Sequence, residues 1–430
     1  MNYYSTKNSS RSYSFKEALF EGLPSDNGLF VPENIPVFSK NERSHLRTLP
    51  LEDVGYRVMK QYIGSEIEDH KLQEITAEVL NFPIPLKQLD QNLYSLELFH
   101  GPTLAFKDVG GRFMSRSISY FSSSTTKKTL VLVATSGDTG SAVAHGFHGV
   151  ENVDVVILYP DGMVSELQEL QMTTLGDNIT AIKIDGTFDD CQKLVKQGFL
   201  DKDLKEKYQL TSANSINIAR FLPQSIYYFH ALNQLEVTDN IIVSVPSGNF
   251  GNLTAGLYAR EMGLPISKFI ASTNINDIFP QYLNTGNFNP KPSISTLSNA
   301  MDVGNPSNFE RIRYLFNDDL KKTRSLIQGF SYNDLQTKEA IKELYQNYQY
   351  LSDPHGAIGY AGLRDYKGDN YTGIFLETAH PSKFKDTVEE VINKPIQLPL
   401  QLQSCLNKES KSIKMTNNYN LFKEFILSQW

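Results

Sequence analysis

Cysteine is almost absent. Cys191 and Cys405 are the only two among 430 residues and lie far apart, which excludes a disulfide framework and suits a reducing, cytoplasmic setting. Neither has neighbours that suggest a nucleophile, so both read as packing residues. Runs of Lys and Arg interleaved with aromatics are missing. The longest basic cluster, Lys127-Lys128, sits in a Ser/Thr-rich link, and the net charge is −7. Nucleic acid is therefore not an expected partner. No apolar stretch approaches the length that spans a bilayer. The opening "MNYYSTKNSSRSYSF" lacks the apolar core of a signal peptide, so no membrane partner is expected. A Walker A loop, the dinucleotide glycine pattern, metalloprotease motifs and internal repeats are also missing.

What is present describes a globular protein. Hydrophobic residues make up 40% and charged residues 21%, and the length suggests two to three domains. From about residue 92, short β-branched runs alternate with amphipathic stretches. Strands are expected at 93–98, 129–135, 153–159, 179–185, 240–245, 267–273 and 371–378, with helices near 163–175, 187–200, 216–236 and 252–263. The runs are nearly continuous in apolar character, as strands covered on both faces are. This alternation predicts an α/β fold with doubly wound, mainly parallel sheets. Residues 1–90 read as an N-terminal lobe with helices near 14–21 and 51–64. Residues 91–385 read as the core, with a smaller subdomain at about 126–210. Residues 386–430 read as a polar C-terminal tail, helical near 419–428.

Several strands run straight into glycine-rich loops, and in open α/β sheets ligands gather beyond the carboxyl ends of strands. "SVPSGNFGN" (244–252) passes from strand through turn to helix, where successive backbone amides and the helix dipole hold a phosphate. A tight turn needing positive φ at Gly248 and Gly251 explains it equally well. "ATSGDTGS" (134–141) offers hydroxyls and amides to a second anion, though Asp138 would repel one, and an N-capped helix start is the alternative. "HGPTLAFKDVGGRF" (100–113) surrounds a single lysine, Lys107, with apolar residues. Desolvation lowers a lysine's pKa, and the neutral amine attacks aldehydes to form a Schiff base. Joined to a phosphate loop elsewhere, that amine points to pyridoxal 5'-phosphate. Standing alone, the lysine would read as one snorkelling to the surface. "ETAHPSKF" (377–384) supplies Thr378, whose hydroxyl could meet the ring nitrogen, while His380, before a proline, reads as a turn residue. His145 and His148 stand three apart on one helix without a third ligand nearby, so no metal is expected.

Together, "HGPTLAFKDVGGRF", "ATSGDTGSAVAHGF", "NSINIAR", "SVPSGNFGNLTAGL", "TLSNAMDVGNPSN" and "ETAHPSKF" resemble the threonine synthase family of bacteria and fungi, in fold type II of the pyridoxal phosphate enzymes. The likeness runs from about residue 2 to about residue 390, in order. It implies two lobes with the cofactor cleft between them and the conversion of O-phospho-L-homoserine and water to L-threonine and phosphate. It implies Lys107 as the catalytic Schiff-base lysine, Gly248, Asn249, Phe250, Gly251 and Asn252 as the cofactor phosphate loop, and Thr378 at the pyridine nitrogen. Ser136 and Thr139 are the candidates for substrate binding. Asn214, Ser215, Asn217 and Arg112 are weaker candidates for the substrate phosphate, Arg112 being the cation that separates two dianions. Asn252 stands where the family commonly has an acid, Lys7 where it has arginine, and Asn27 where it has glycine. A monomer or weak homo-oligomer is expected. A serine or threonine dehydratase of the same fold, or a non-catalytic relative, are the alternatives.

Overall fold

The computed structural model describes residues 1–122, 127–236 and 239–429. Each run expected as a strand forms one: Leu93–Glu97, Thr129–Ala134, Val153–Pro160, Ile179–Asp185, Ile241–Pro246, Ile266–Thr273 and Thr372–Glu377. They divide between two sheets. The larger sheet orders Ile327–Ser331, Ile266–Thr273, Ile241–Pro246, Thr372–Glu377, Leu93–Glu97 and Leu86–Asp90. Its pairs are parallel except for the edge hairpin of Leu86–Asp90 with Leu93–Glu97. The smaller sheet is wholly parallel, in the order Ser412–Thr416, Ile179–Asp185, Val153–Pro160, Thr129–Ala134, Gln209–Ser212. Its central strands are buried at every position, which is why they read as unbroken apolar runs.

One hydrophobic core runs from the N-terminal lobe (Tyr3, Phe15, Tyr62) through helix Lys107–Ser122 to both sheets (Val131, Val243). The paired glycines of "DVGGRF" belong to this packing. A Cβ at Gly111 would lie 2.8 Å from the Ala142 carbonyl oxygen, so helix Asp138–Phe147 can approach only because the side chain is missing. A second core covers the far face of the smaller sheet with Leu194, Phe422 and Ile426.

Two expectations need correction. Residues 386–430 are not a tail. Ser412–Thr416 is an edge strand of the smaller sheet, and helix Tyr419–Gln429 buries Phe422 and Ile426 against it. The strand is short and its residues are partly exposed, so its sequence carries little apolar signal. The helix expected over 216–236 is broken at Pro223 into Ile218–Phe221, a 3₁₀ turn Leu222–Gln224 and Ser225–Asn233, because proline lacks the amide a continuous helix needs. Both cysteines are buried and free, and burial pushes the Cys191 thiol up to about 12. Among the described residues no helix is long and apolar enough to cross a membrane.

Candidate active site

A cleft opens beyond the carboxyl ends of strands from both sheets. Leu93–Glu97 leads through a loop to Lys107, the first residue of helix Lys107–Ser122. That loop is pinned to the end of Thr372–Glu377: the Phe106 amide donates to the Thr378 carbonyl at 2.9 Å, and Ala105 bridges Ala379. Lys107 and Thr378 therefore keep a fixed spacing, and both line the cleft. Asp108 closes the helix start, accepting from the Thr103 amide at 2.9 Å and the Thr103 hydroxyl at 2.5 Å.

The Lys107 side chain is 15% exposed, with Nζ 3.8 Å from Asp138 Oδ2 and 5.3 Å from the centre of the Phe106 ring. Burial pushes its pKa down. Asp138 works against this, while Lys383 and Arg220 reinforce it. The helix dipole also disfavours a cation at a helix N-terminus. An amine so placed gives up its proton more readily than a solvated lysine, which is what a nucleophilic amine needs.

The turn after Ile241–Pro246 leads into helix Gly251–Glu261. The positive φ that the sequence assigned to Gly248 and Gly251 falls instead on Phe250 (φ 61°, ψ 12°). Phe250 is buried, its ring 4.7 Å from that of Phe279, and this packing holds the unusual backbone. Gly248 has a different task. A Cβ there would sit 2.8 Å from the Ala300 carbonyl oxygen and from Met301 Cα. The Asn249 side chain is committed to the surrounding frame, donating to Ser215 Oγ at 2.6 Å and accepting from the Ser307 amide. Asn252 accepts from the Tyr228 hydroxyl at 2.6 Å, and its buried Nδ2 has no hydrogen-bond partner. Turn residues 247–252 line the same cleft as Lys107.

The smaller sheet contributes Ser136, on the loop after Thr129–Ala134, and Thr139, in the first turn of helix Asp138–Phe147, and both line the cleft. Thr135 shapes that loop, its hydroxyl accepting from the amides of Gly137 (3.0 Å) and Gly140 (2.8 Å). Asp138 is buried between two lysines, with Lys383 Nζ at 2.6 Å. Burial works to raise its pKa, but Lys383 and Lys107 outweigh it and hold the carboxylate far below its ordinary range. Asn214 and Ser215 also reach the cleft, Asn214 donating to the Ala134 carbonyl at 3.1 Å.

Two sequence candidates do not belong here. Asn217 is fully buried as the cap of helix Ile218–Phe221, and its amide donates to the carbonyls of Leu19 (2.8 Å) and Ser212 (3.2 Å). Arg112 turns the other way, donating to Val79 O (3.3 Å) and Asn81 Oδ1 (2.9 Å) and covering the Phe82 ring. The separation of the two follows from helical spacing, since a residue five after Lys107 cannot share its face. His380 accepts from the Ser382 amide at 3.1 Å, and burial lowers its pKa to about 4. His148 pairs with Asp177 at 3.0 Å, while burial holds His145 at about 4. Among the described residues no three His, Cys, Asp or Glu side chains could hold a metal ion.

Sequence reasoning passed over Arg220 and His355. Arg220, the last residue of "NSINIAR", lines the cleft at 2% exposure with its buried Nε unpartnered. Burial lowers its pKa to about 10, so it remains a cation. His355 Nε2 accepts from the Ala300 amide at 3.2 Å, so Nδ1 carries the proton it gives to Asp353. That pair supports the loop facing Gly248. Its signal was "SDPHGA", where Asp before Pro marks a capped helix start.

An amine, a hydroxyl tied to the same backbone, and a turn with an orphaned buried donor at a helix start fit an aldehyde that carries a phosphate. Ser136, Thr139, Asn214 and Arg220 line the rest of the cleft.

Known proteins resemble this chain along its whole length. The family model of the pyridoxal-phosphate dependent enzymes matches residues 75–373. Models of the threonine synthase N terminus and of the threonine synthase C-terminal region match 2–79 and 356–426. A threonine synthase of Haemophilus influenzae is 46% identical over 99% of this chain and 100% of its own. The crystal structure of threonine synthase from Escherichia coli superposes with a TM-score of 0.95 at 42% identity, covering both chains fully. A pyridoxal-phosphate-bound threonine synthase from Brucella melitensis gives 0.93 at 34% identity, over 99% of this chain and 98% of that one.

Proposed function

The chain belongs to the threonine synthase family, and on that premise we propose that the cleft around Lys107 converts O-phospho-L-homoserine and water to L-threonine and phosphate. The chain is a carbon–oxygen lyase whose cofactor is pyridoxal 5'-phosphate. One observation carries the residue assignment: Lys107, the turn 247–252, Thr378 and the Ser136–Thr139 loop, far apart in sequence, line one cleft.

Lys107 would hold the aldehyde end of the cofactor, the amides of 247–252 and Asn252 Nδ2 its phosphate, and Thr378 its ring nitrogen. When bound, the cofactor supplies an electron sink conjugated to the substrate's α-carbon. Lys107, released by the incoming amino group, takes the proton from Cα and later returns one there. Arg220 meets the substrate phosphate. Two dianions in one cleft repel, and a buried guanidinium between them offsets that repulsion. Ser136, Thr139 and Asn214 orient the rest of the substrate by hydrogen bonds, Ser136 and Thr139 serving the carboxylate.

The test has two arms. Purified protein should release inorganic phosphate from O-phospho-L-homoserine faster than it forms keto acid from threonine, which separates this reaction from a dehydratase. Borohydride reduction should label the peptide containing Lys107, and Lys107→Ala should abolish both label and turnover. A label elsewhere would overturn the assignment. Two buried free thiols support a reducing, cytoplasmic site of action.

A further inference from the structure

Lys383 is a lysine with no place in the chemistry above, yet its side chain is 0% exposed. It sits in the 3₁₀ turn Pro381–Phe384, five residues beyond Thr378. Its Nζ lies 2.6 Å from Asp138 Oδ1 and donates to the Thr103 carbonyl at 3.0 Å. Gln168 Nε2 donates to the same Asp138 oxygen at 2.9 Å. The other oxygen, Oδ2, faces Lys107 Nζ at 3.8 Å, beyond hydrogen-bond reach. Asp138 is thus bonded through Oδ1 alone, which Lys383 and Gln168 share, and Lys383 is the cation there.

We propose that Lys383 is a positioning residue that takes up the charge of Asp138, so that Lys107 beside it is left as a neutral amine able to capture the cofactor aldehyde. The proposal rests on Lys107 being the cofactor lysine. Two cations and one anion share a buried space, and the least costly distribution pairs the bonded two and leaves the third uncharged. The charged groups facing Lys107 are Asp138, Lys383, Arg220 and Asp353, from four separate segments. The titratable groups facing Asp138 are Lys383, Lys107 and His355. Lys383 is the only one of these that is hydrogen-bonded to the carboxylate at Asp138 and absent from the lining of the cleft.

Removing either partner should move Lys107 in opposite directions. In Lys383→Met, Asp138 has Lys107 as its nearest remaining cation, which holds Lys107 as an ammonium. In Asp138→Asn, Lys383 remains as an uncompensated positive neighbour and drives Lys107 further toward the neutral form. A purely structural Lys383 would lower stability in Lys383→Met without the upward shift.

The experiment strips the cofactor from the full-length protein and mixes it with pyridoxal 5'-phosphate across a pH series. The rate at which the visible band appears is followed, and every sample is reduced with borohydride to locate the label. Ionisations of free pyridoxal 5'-phosphate are common to all variants, so differences report the protein. Lys383→Met should shift the midpoint of the rate profile upward by about one pH unit, making capture about tenfold slower on the acidic limb below both midpoints. Asp138→Asn should shift it downward, and the double variant should recover most of the loss seen in Lys383→Met. If Lys383→Met does not fold, Lys383→Gln, which removes the charge and keeps a hydrogen-bond donor, should give the same upward shift and decides the matter. A label on Lys107 with midpoints that stay put or move together overturns the inference and leaves the site assignment standing. A label on another residue overturns both.

Discussion

Gly248→Ala tests the cofactor turn most directly. A methyl at this position would meet the Ala300 carbonyl oxygen and Met301 Cα at 2.8 Å and Val303 Cγ2 at 3.3 Å. Ordinary contact begins near 3.4 Å, so turn and loop must part by about 0.6 Å in a close-packed region. Two of the three obstructing atoms are backbone, which no rotamer change can move aside. Overpacking of this degree costs about 1–3 kcal/mol. Part of it falls on the unliganded fold, read as a lower melting temperature. The rest falls on the cofactor, because displacing the turn misaims its amides, and each 1.4 kcal/mol is about tenfold in Kd. Titration of cofactor-free protein with pyridoxal 5'-phosphate, followed by absorbance, gives the second part and calorimetry the first. Together they should amount to about 1–3 kcal/mol. No change in either would refute the reasoning, since Gly248 would then not be held against residues 300–303.

Two further measurements address the rest of the site. Arg220→Gln should lower kcat/KM for O-phospho-L-homoserine by about 10- to 100-fold, the loss of a charge-assisted hydrogen bond of about 1.5–3 kcal/mol. Arg112→Gln should leave that ratio within about twofold; equal effects would restore the assignment made from sequence. Glu377 is fully buried, and burial, reinforced by Asp353, raises its pKa well above the ordinary carboxylate range. A raised carboxyl pKa contributes stability below the unfolded value and loses it as pH rises toward the folded one. Glu377→Gln should therefore match the wild type in melting temperature near pH 4.5 and exceed it increasingly above that. A constant difference across pH would show that Glu377 titrates normally.

The central strands were legible because they are covered on both faces and their runs are unbroken. Edge elements were not. Ile327–Ser331 and Ser412–Thr416 are partly exposed, and their pairing partners, Ile266–Thr273 and Ile179–Asp185, are remote in sequence. Local pattern carries no such information. The broken helix at 216–236 was readable in principle, since Pro223 stands in the middle of it.

The cleft was legible for a different reason. Loops at the carboxyl ends of parallel strands converge by topology, so placing Lys107, Gly248, Ser136 and Thr378 together required the strand pattern alone. Their partners required packing. Arg112 and Arg220 are both arginines near glycine-rich or Asn/Ser-rich motifs, and nothing local says which one faces inward. The answer lies in backbone contact. Arg220's own carbonyl lies where a Cβ at Gly110 would be, so helix Lys107–Ser122 presses against residue 220 while Arg112 is carried round to Val79 and Asn81. Lys383 was hidden by the same limit. In sequence it follows a turn as an ordinary surface lysine would. Only the fold reveals that it is enclosed, and that Asp138, which looked like an obstacle to an anion, has its charge matched by a buried ammonium. Charges that oppose a site when read along the chain can serve it once their counter-ions are supplied from elsewhere.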